Sequence, residues 1–525
     1  MITVYRPKWT SGRYHKIGNE RKALLYNKME GMSFLFEEDS ADIINEVLKY
    51  EVDEPIPIPS LIKIGKEEYL EDDIIVFCND LINFGLLTLK IFDSTEVSRI
   101  RKIVSEQRKN EINTVEKTIQ EKLPFEISSA ESDYSKFIEK DGIPLSVMIE
   151  LTYNCNERCI HCYNPGAARN NNEKSERGLL KELDYNDYVS LIKELKELGV
   201  AKISLTGGEP FIKNDIWKLI ELIHKQDFSF DIFTNGLALI DNVDKLIQHF
   251  PQSVRLSVYS ADEEIHDSIT RIKGSLAKTL KVASVLQKNG VPIYFNCPIM
   301  KNNLSSYHTV SDLAKKYSAL AQFDVNLTDS LDGNIAISQQ LQVSNKELEI
   351  LLRDPNIPLY VGKEAPDFGK KTLQIDEPFC GAGINLFNIT PEGNVTPCNS
   401  FPTSFGNLKD KSFKDIVSGS EILKKWQNIT VKDYEECGAY EQCWYCNRCP
   451  GQSFIEHGNP LKKSTANHNL AKVRCELAKK IEDGNDPLDG KNPYEVLNGN
   501  VILMTTKVKS VKAHKNHRNN TLKLK

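Results

Sequence analysis

From about residue 145 the chain alternates strand-like and helix-like runs, and this alternation limits the fold more than any other feature. The strand-like runs are "LSVMIELTY", "AKISLTG", "FSFDIFTNG", "SVRLSVYS", "VPIYFNCPI" and "LAQFDVNLTD". Helical spacing separates them, in "YVSLIKELKEL", "IWKLIELIHK", "NVDKLIQHF", "LAKTLKVASVLQK" and "SYHTVSDLAKKY". Alternation of this kind predicts parallel strands joined by crossover helices. Six units fall short of the eight that close a barrel, so the pattern predicts an α/β fold built on an open, partial (β/α)6 barrel. A doubly wound sheet is the alternative.

A length of 525 residues exceeds what one core supports. The barrel is assigned to 145–345. Residues 1–115 read as a small α/β unit. In it "SADIINEVLKY" forms a helix with Ser40 as N-cap, and "DDIIVFCNDLINFG" forms a second helix that ends near Gly85 and runs into a strand, "LLTLKIF". Residues 116–144 are a helical linker, part of a charged helical stretch over roughly 96–140. Residues 346–374 form a bridging segment and 375–482 a cysteine-rich region. In that region "LFNITPEGNVTPC" reads as short strands and "FKDIVSGSEILKKW" as a helix. The tail 483–525 turns basic after about 500 and reads as solvated and disordered.

The chain has twelve cysteines and a net charge of −6. The charge gives no sign of a nucleic-acid binder, no apolar run is long enough for a membrane span, and no secretory signal is visible, so a cytoplasmic protein is expected. Reduced thiols in that compartment point away from disulfides and toward metal. Cys78 and Cys297 stand alone in apolar segments and read as buried small hydrophobes. The other ten form two groups.

The first group is Cys155, Cys159 and Cys162, directly after the first barrel strand and so at the C-terminal mouth, where barrel enzymes place their chemistry. Three thiolates are one too few for a closed tetrahedral zinc site. They suit a four-iron cluster with one iron left open. This spacing, followed by the aromatic Tyr163, resembles the signature of radical S-adenosylmethionine (SAM) enzymes. "LTGGEP" after the second strand resembles that family's SAM-contacting segment, with Gly207, Gly208, Glu209 and Pro210. Two glycines allow close backbone approach and Glu209 offers an anion to the SAM ammonium. "TNG" ends the third strand with Asn235. "LSVYSADEEIHDSITRIKGS" resembles the fourth-strand segment, which by position gives Ser257 and Arg271 to the ribose and carboxylate of SAM. The resemblance implies a [4Fe–4S] cluster on Cys155, Cys159 and Cys162, reductive cleavage of SAM to a 5′-deoxyadenosyl radical, and hydrogen abstraction from a substrate. It also implies an electron donor such as ferredoxin or flavodoxin.

The second group is Cys380, Cys398, Cys437, Cys443, Cys446, Cys449 and Cys475. With "GNVTPC" at 393–398 it resembles the SPASM extension, which implies one or two auxiliary iron–sulfur clusters. Seven cysteines cannot complete two four-cysteine sets. The order C-x5-C-x2-C-x2-C departs from the family's usual spacing, so the assignment of each cysteine stays open. A zinc-binding scaffold is the competing reading.

The N-terminal unit resembles the winged-helix domain with which many maturases of ribosomally made peptides hold a leader, as a strand added to a sheet edge. Together the three resemblances imply a peptide maturase, an oxidoreductase that installs a thioether or carbon–carbon crosslink in a precursor peptide. Peptide epimerisation and sulfatase-type protein oxidation are the alternatives. Sulfatase-maturing enzymes carry a basic Asp after one auxiliary cysteine, and the matching position here is Asn399.

Overall fold

The computed structural model describes residues 3–65, 71–114, 129–164, 181–362, 378, 380–434 and 441–498. The N-terminal unit runs β1 (Thr3–Tyr5), β2 (Thr10–Ile17), β3 (Glu20–Asn27), β4 (Met32–Glu37), α1 (Glu38–Lys49), β5 (Pro55–Pro57), α2 (Ile58–Gly65) and α3 (Glu71–Asn83). Strands β2, β3 and β4 form an antiparallel sheet in that order, and β1 pairs with β5. One face of β3 turns Ala23 and Leu25 toward the helices. The other turns Leu24 and Tyr26 into the main core of the molecule. Strict alternation on one strand thus serves two cores.

Two local expectations change here. Ser40 is not the N-cap of α1: it lies at the third helical position, where its hydroxyl accepts from the Glu37 amide at 3.2 Å, and Glu37 holds the cap. The run "LLTLKIF" is no strand; a single bridge joins Thr88 to Tyr5, because the chain after Gly85 packs inward through Leu86 and Leu87 instead of extending along a partner. The long charged helix is present as α4 (Ser94–Thr114) and α5 (Ser129–Glu139); residues 115–128 between them lie outside the described residues.

The barrel strands are β6 (Ser146–Glu150), β7 (Lys202–Thr206), β8 (Ser229–Thr234), β9 (Ser253–Ser257), β10 (Ile293–Pro298) and β11 (Leu320–Asp324). The intervening helices are α6 (Tyr185–Leu198), α7 (Ile216–Lys225), α8 (Val243–Ile247), α9 (Glu263–Thr270), α10 (Ser275–Lys288) and α11 (Thr309–Lys316). All six strands are parallel and lie side by side in chain order. A doubly wound sheet reverses its order at a switch point. This one does not, which leaves the partial barrel.

Short helices α12 (Ala336–Leu341) and α13 (Asn345–Leu351) lead to the cysteine-rich region. It contains β12 (Leu386–Ile389), β13 (Asn394–Thr396), β14 (Gly406–Asn407), α14 (Phe413–Gly419), α15 (Glu421–Gln427), α16 (Pro450–His457) and α17 (Thr465–Glu482). The expected single helix "FKDIVSGSEILKKW" is two, because Ser420 ends α14 and caps α15 by accepting from the Leu423 amide. Strand β12 pairs in parallel with β6, so this region continues the barrel sheet to nine strands. Its helices reach the other barrel edge: Asn326, just past β11, donates to Gln452 of α16 at 3.2 Å and to Asn467 of α17 at 2.9 Å. The cysteine-rich region therefore touches both edge strands of the partial barrel. The basic end of the tail lies outside the described residues.

Outward barrel positions such as Val147, Ile149, Ile203, Leu205, Phe230, Ile232, Val254 and Leu256 join the helices in one core. Several of the alternate positions carry polar side chains. Lys202 pairs with Asp231 at 2.9 Å, Ser253 donates to Asp231 at 2.7 Å, and Arg255 donates to Gln322 at 2.6 Å while stacking on Tyr294. Closed barrels fill this interior with branched apolar residues. At the strands' N-terminal ends the N-terminal unit is fixed by Arg6, paired with Asp227, and by Arg13, which donates to the carbonyls of Val200, Gln226 and Asp227 and lies over Phe228.

Candidate active site and auxiliary cysteine centre

The loop after β6 carries the first cysteines and is shaped by its neighbours on β7 and β8. Leu151 N–H donates to Thr206, Gly208 N–H to Thr152, and Glu209 N–H to Asn154. Gly207 has φ +131, and a Cβ there would lie 2.6 Å from the Thr152 carbonyl oxygen. A Cβ on Gly208 would lie 2.0 Å from that of Asn154. The two glycines thus admit the backbone of the cysteine loop itself, where ligand approach alone was expected of them.

Glu209 also differs from its expected role. It is fully buried, and its carboxylate accepts from Phe211 N–H (3.1 Å), the Thr234 hydroxyl (2.7 Å) and Asn235 N–H (2.9 Å). These bonds tie the β7 end to the β8 end. Burial nevertheless pushes its pKa up to about 7. Pro210 begins the short turn that follows, with Glu209 as its cap.

Asn235 reaches the cysteine loop directly, donating to Asn156 Oδ1 at 2.7 Å and lying 3.7 Å from Cys155 Sγ. Ser257 ends β9 at the same mouth. Arg271 is exposed, in a left-handed cap after α9, and the two residues before it accept backbone bonds from Arg158 and Ile160 of the cysteine loop. The structure therefore gathers Cys155, Cys159, Cys162, Gly207, Gly208, Glu209, Asn235 and Arg271 around one loop.

Three residues at this mouth escaped the sequence reading. Glu157 is 3% exposed, accepts from the Cys159 thiol at 3.3 Å, and is pushed up to about 7 by burial. His161 packs edge-on against Tyr259, whose hydroxyl lies 3.9 Å from Cys159 Sγ; burial pulls its pKa down to about 4. Glu150, at the end of β6, accepts from Asn388 of β12 at 3.1 Å. Glu150 was legible in principle as a polar residue at a position alternate to Val147 and Ile149.

The donor set suits an iron–sulfur cluster. All three thiols are half-buried and in no disulfide, and burial drives Cys155 up to about 12 and Cys159 well above its ordinary value. N–H groups point at sulfur, as from Glu157 N–H to Cys155 at 3.4 Å; such bonds tune thiolate-held clusters. Among the described residues no group of three His, Cys, Asp or Glu side chains is drawn in around a single metal ion, so the fit rests on donor type and surroundings.

In the cysteine-rich region burial raises Cys380, Cys398 and Cys449; Cys398 also feels Cys449 and Cys380, and Cys449 feels Cys380. Cys398 follows β13, and Cys449 caps α16. The backbones touch, since a Cβ on Gly451 would lie 2.4 Å from the Ser400 carbonyl oxygen. Cys443, Cys446 and Cys449 line one pocket, together with Ser464 and Asn467. Cys475 is buried on α17. Cys437 lies outside the described residues. Cys78 and Cys297 are each 1% exposed and belong to the cores, as expected.

The structure joins a parallel partial barrel with three cysteines at its mouth to a second cysteine-rich region. Residues 149–313 match the radical SAM superfamily, and 380–450 match the iron–sulfur cluster-binding domain SPASM, so the chain carries both domains. They imply SAM, a [4Fe–4S] cluster and auxiliary clusters as cofactors. Among curated relatives, the AdoMet-dependent heme synthase of Methanosarcina barkeri is 25% identical, across 62% of this chain and 97% of its own. The antilisterial bacteriocin subtilosin biosynthesis protein AlbA of Bacillus subtilis is 26% identical, across 59% and 67%. The PqqA peptide cyclase of Xanthomonas campestris is 27% identical, across 58% and 82%. In fold, the chain resembles Streptococcus suis SuiB bound to its precursor peptide SuiA, with a TM-score of 0.53 at 14% identity, covering 88% of this chain and 99% of that one.

Proposed function

We propose that this chain is a radical SAM oxidoreductase that installs a crosslink in a ribosomally made precursor peptide. The observation that carries the reading is the placement of the two cysteine centres, one on the loop after β6 and the other beside β12, the next strand of the same sheet. When bound, the cluster and SAM supply a 5′-deoxyadenosyl radical that takes a hydrogen atom from the peptide. Cys155, Cys159 and Cys162 hold the cluster, and the Gly207–Gly208 backbone, Asn235, Ser257 and Arg271 hold SAM. Glu209 keeps the β7 and β8 ends in register. Cys380, Cys398, Cys437, Cys443, Cys446, Cys449 and Cys475 would hold the auxiliary clusters, which would supply electron-transfer chemistry. An electron donor such as ferredoxin or flavodoxin supplies reducing equivalents in the cytoplasm. No helix among the described residues is long and apolar enough to cross a membrane.

Residues 1–115 supply the leader site in this reading. Among the described residues β4 is the edge strand of its sheet and pairs only with β3. Beside it Phe34 packs on Phe84 and Phe36 on Phe77 of the α3 segment, where Val76 is 59% and Phe84 49% exposed. An extended leader fits as an added strand beside this apolar helix face. AlbA, named for bacteriocin biosynthesis, and the PqqA peptide cyclase support the peptide class.

The test is to incubate anaerobically reconstituted protein with the precursor peptide encoded beside its gene and with SAM. Loss of two hydrogens from the peptide supports a crosslink. An unchanged mass with an inverted residue would replace that reading with epimerisation. A peptide that stays unmodified while SAM is consumed on a small molecule would overturn the peptide class.

A further inference from the structure

The two cysteine centres meet at one hydrogen bond. Tyr163 directly follows Cys162, and Asn399 directly follows Cys398. The Asn399 amide donates to the Tyr163 phenol oxygen at 3.0 Å. Both ends are fixed. The Tyr163 carbonyl accepts from Leu331 N–H at 3.1 Å and from the Ser330 hydroxyl at 3.4 Å, in the segment after β11. The Cys398 carbonyl accepts from the Thr396 hydroxyl at 3.1 Å and from Phe401 N–H at 3.3 Å. The ring is therefore clamped between the two cysteine segments.

We infer that the Tyr163–Asn399 contact is the electronic coupling between the SAM-site cluster and the auxiliary cluster held in part by Cys398. The path from Cys162 to Cys398 is covalent apart from this one hydrogen bond. Tunnelling through bonds and hydrogen bonds decays less steeply than through empty space, so one short polar contact dominates any route that must jump between side chains. The step moves one electron: the auxiliary cluster is oxidised by one unit, the SAM-site cluster is reduced by one, and no bond breaks or forms. The inference rests on both cysteine sets holding clusters. It also gives Asn399 a role that requires no basic side chain.

The test uses full-length, anaerobically reconstituted protein given less than one electron per chain from photoreduced deazaflavin, with freeze-quench EPR reading the spin on each cluster over time. Wild type should show a fast phase of redistribution between the clusters. Tyr163→Phe and Asn399→Leu, which remove the contact, should lose that phase while keeping wild-type iron and sulfide. Asn399→Asp should restore it, because the phenol can then donate to the carboxylate. A purely structural strut predicts no such loss at full cluster content. A fast phase retained in both Tyr163→Phe and Asn399→Leu would overturn the coupling alone. Wild-type protein that binds no iron or sulfide on reconstitution would overturn the cluster reading beneath it.

Discussion

The SAM site and the auxiliary centre are built by the same device at very different sequence distances. In each, a glycine lets one backbone press on the loop that carries a cysteine: Gly208 on Asn154, next to Cys155, and Gly451 on Ser400, two residues past Cys398. The first site draws its three cysteines from one loop and its supports from the ends of successive strands. The second gathers cysteines from 380 to 475, through β12–β6 pairing and the packing of α16 and α17. One centre is local in sequence and the other is local only in space.

If that comparison holds, the two glycines should fail independently. Gly208→Ala forces a Cβ to within 2.0 Å of a carbonyl oxygen. Contacts of this kind cost about 1–3 kcal/mol and displace backbone. The SAM-site cluster should be lost, with about four irons per chain and all formation of 5′-deoxyadenosine, while auxiliary iron stays. Gly451→Ala should do the reverse, lowering auxiliary iron and peptide product but leaving SAM cleavage measurable. Iron and sulfide analysis with EPR reads both. Equal loss of all clusters in either variant would show a single cooperative site.

A smaller effect separates the leader surface from both centres. Val76→Asp changes an exposed side chain, so stability should move by less than about 0.5 kcal/mol. Binding of the precursor peptide should fall sharply, with SAM cleavage kept. Calorimetric titration checks this. Deleting residues 1–115 is a poorer test, since Leu24 and Tyr26 lie in the barrel's own core.

The smallest effect is at the barrel base, far from either centre. Lys28 is 3% exposed and is held down to about 7 by burial and by Arg6 and Arg13, against the pull of Asp227. Its unfolded value is about 10.4. Between these values the unfolded chain binds more protons, so its contribution to stability is full above the unfolded value and is lost as pH falls toward 7. Lys28→Met should raise the unfolding midpoint at pH 7 and flatten its rise toward pH 10. An unchanged slope would place the charge elsewhere.

The difference between the centres also explains what the sequence made legible. The barrel was readable because each strand and helix carries its own period, and the cysteine loop because its spacing is short. The functions of the glycines and of Glu209 were not, because a motif names the residues at a mouth without saying which face ligand and which face each other. The β12–β6 pairing was out of reach. It joins residues more than two hundred positions apart, and the β12 run "LFNI" is too short to announce a partner. The break at Ser420 and the shift of the α1 cap to Glu37 are single-residue matters decided by which hydroxyl finds which amide.

The account stands most directly on the loop from Cys155 to Cys162. The decisive measurement is 5′-deoxyadenosine released from SAM under strong reductant, in wild type and in the triple variant Cys155→Ala, Cys159→Ala, Cys162→Ala. Wild type should release it, and the triple variant should release none while retaining the iron of the auxiliary centre. SAM cleavage at the wild-type rate in the triple variant would contradict the account.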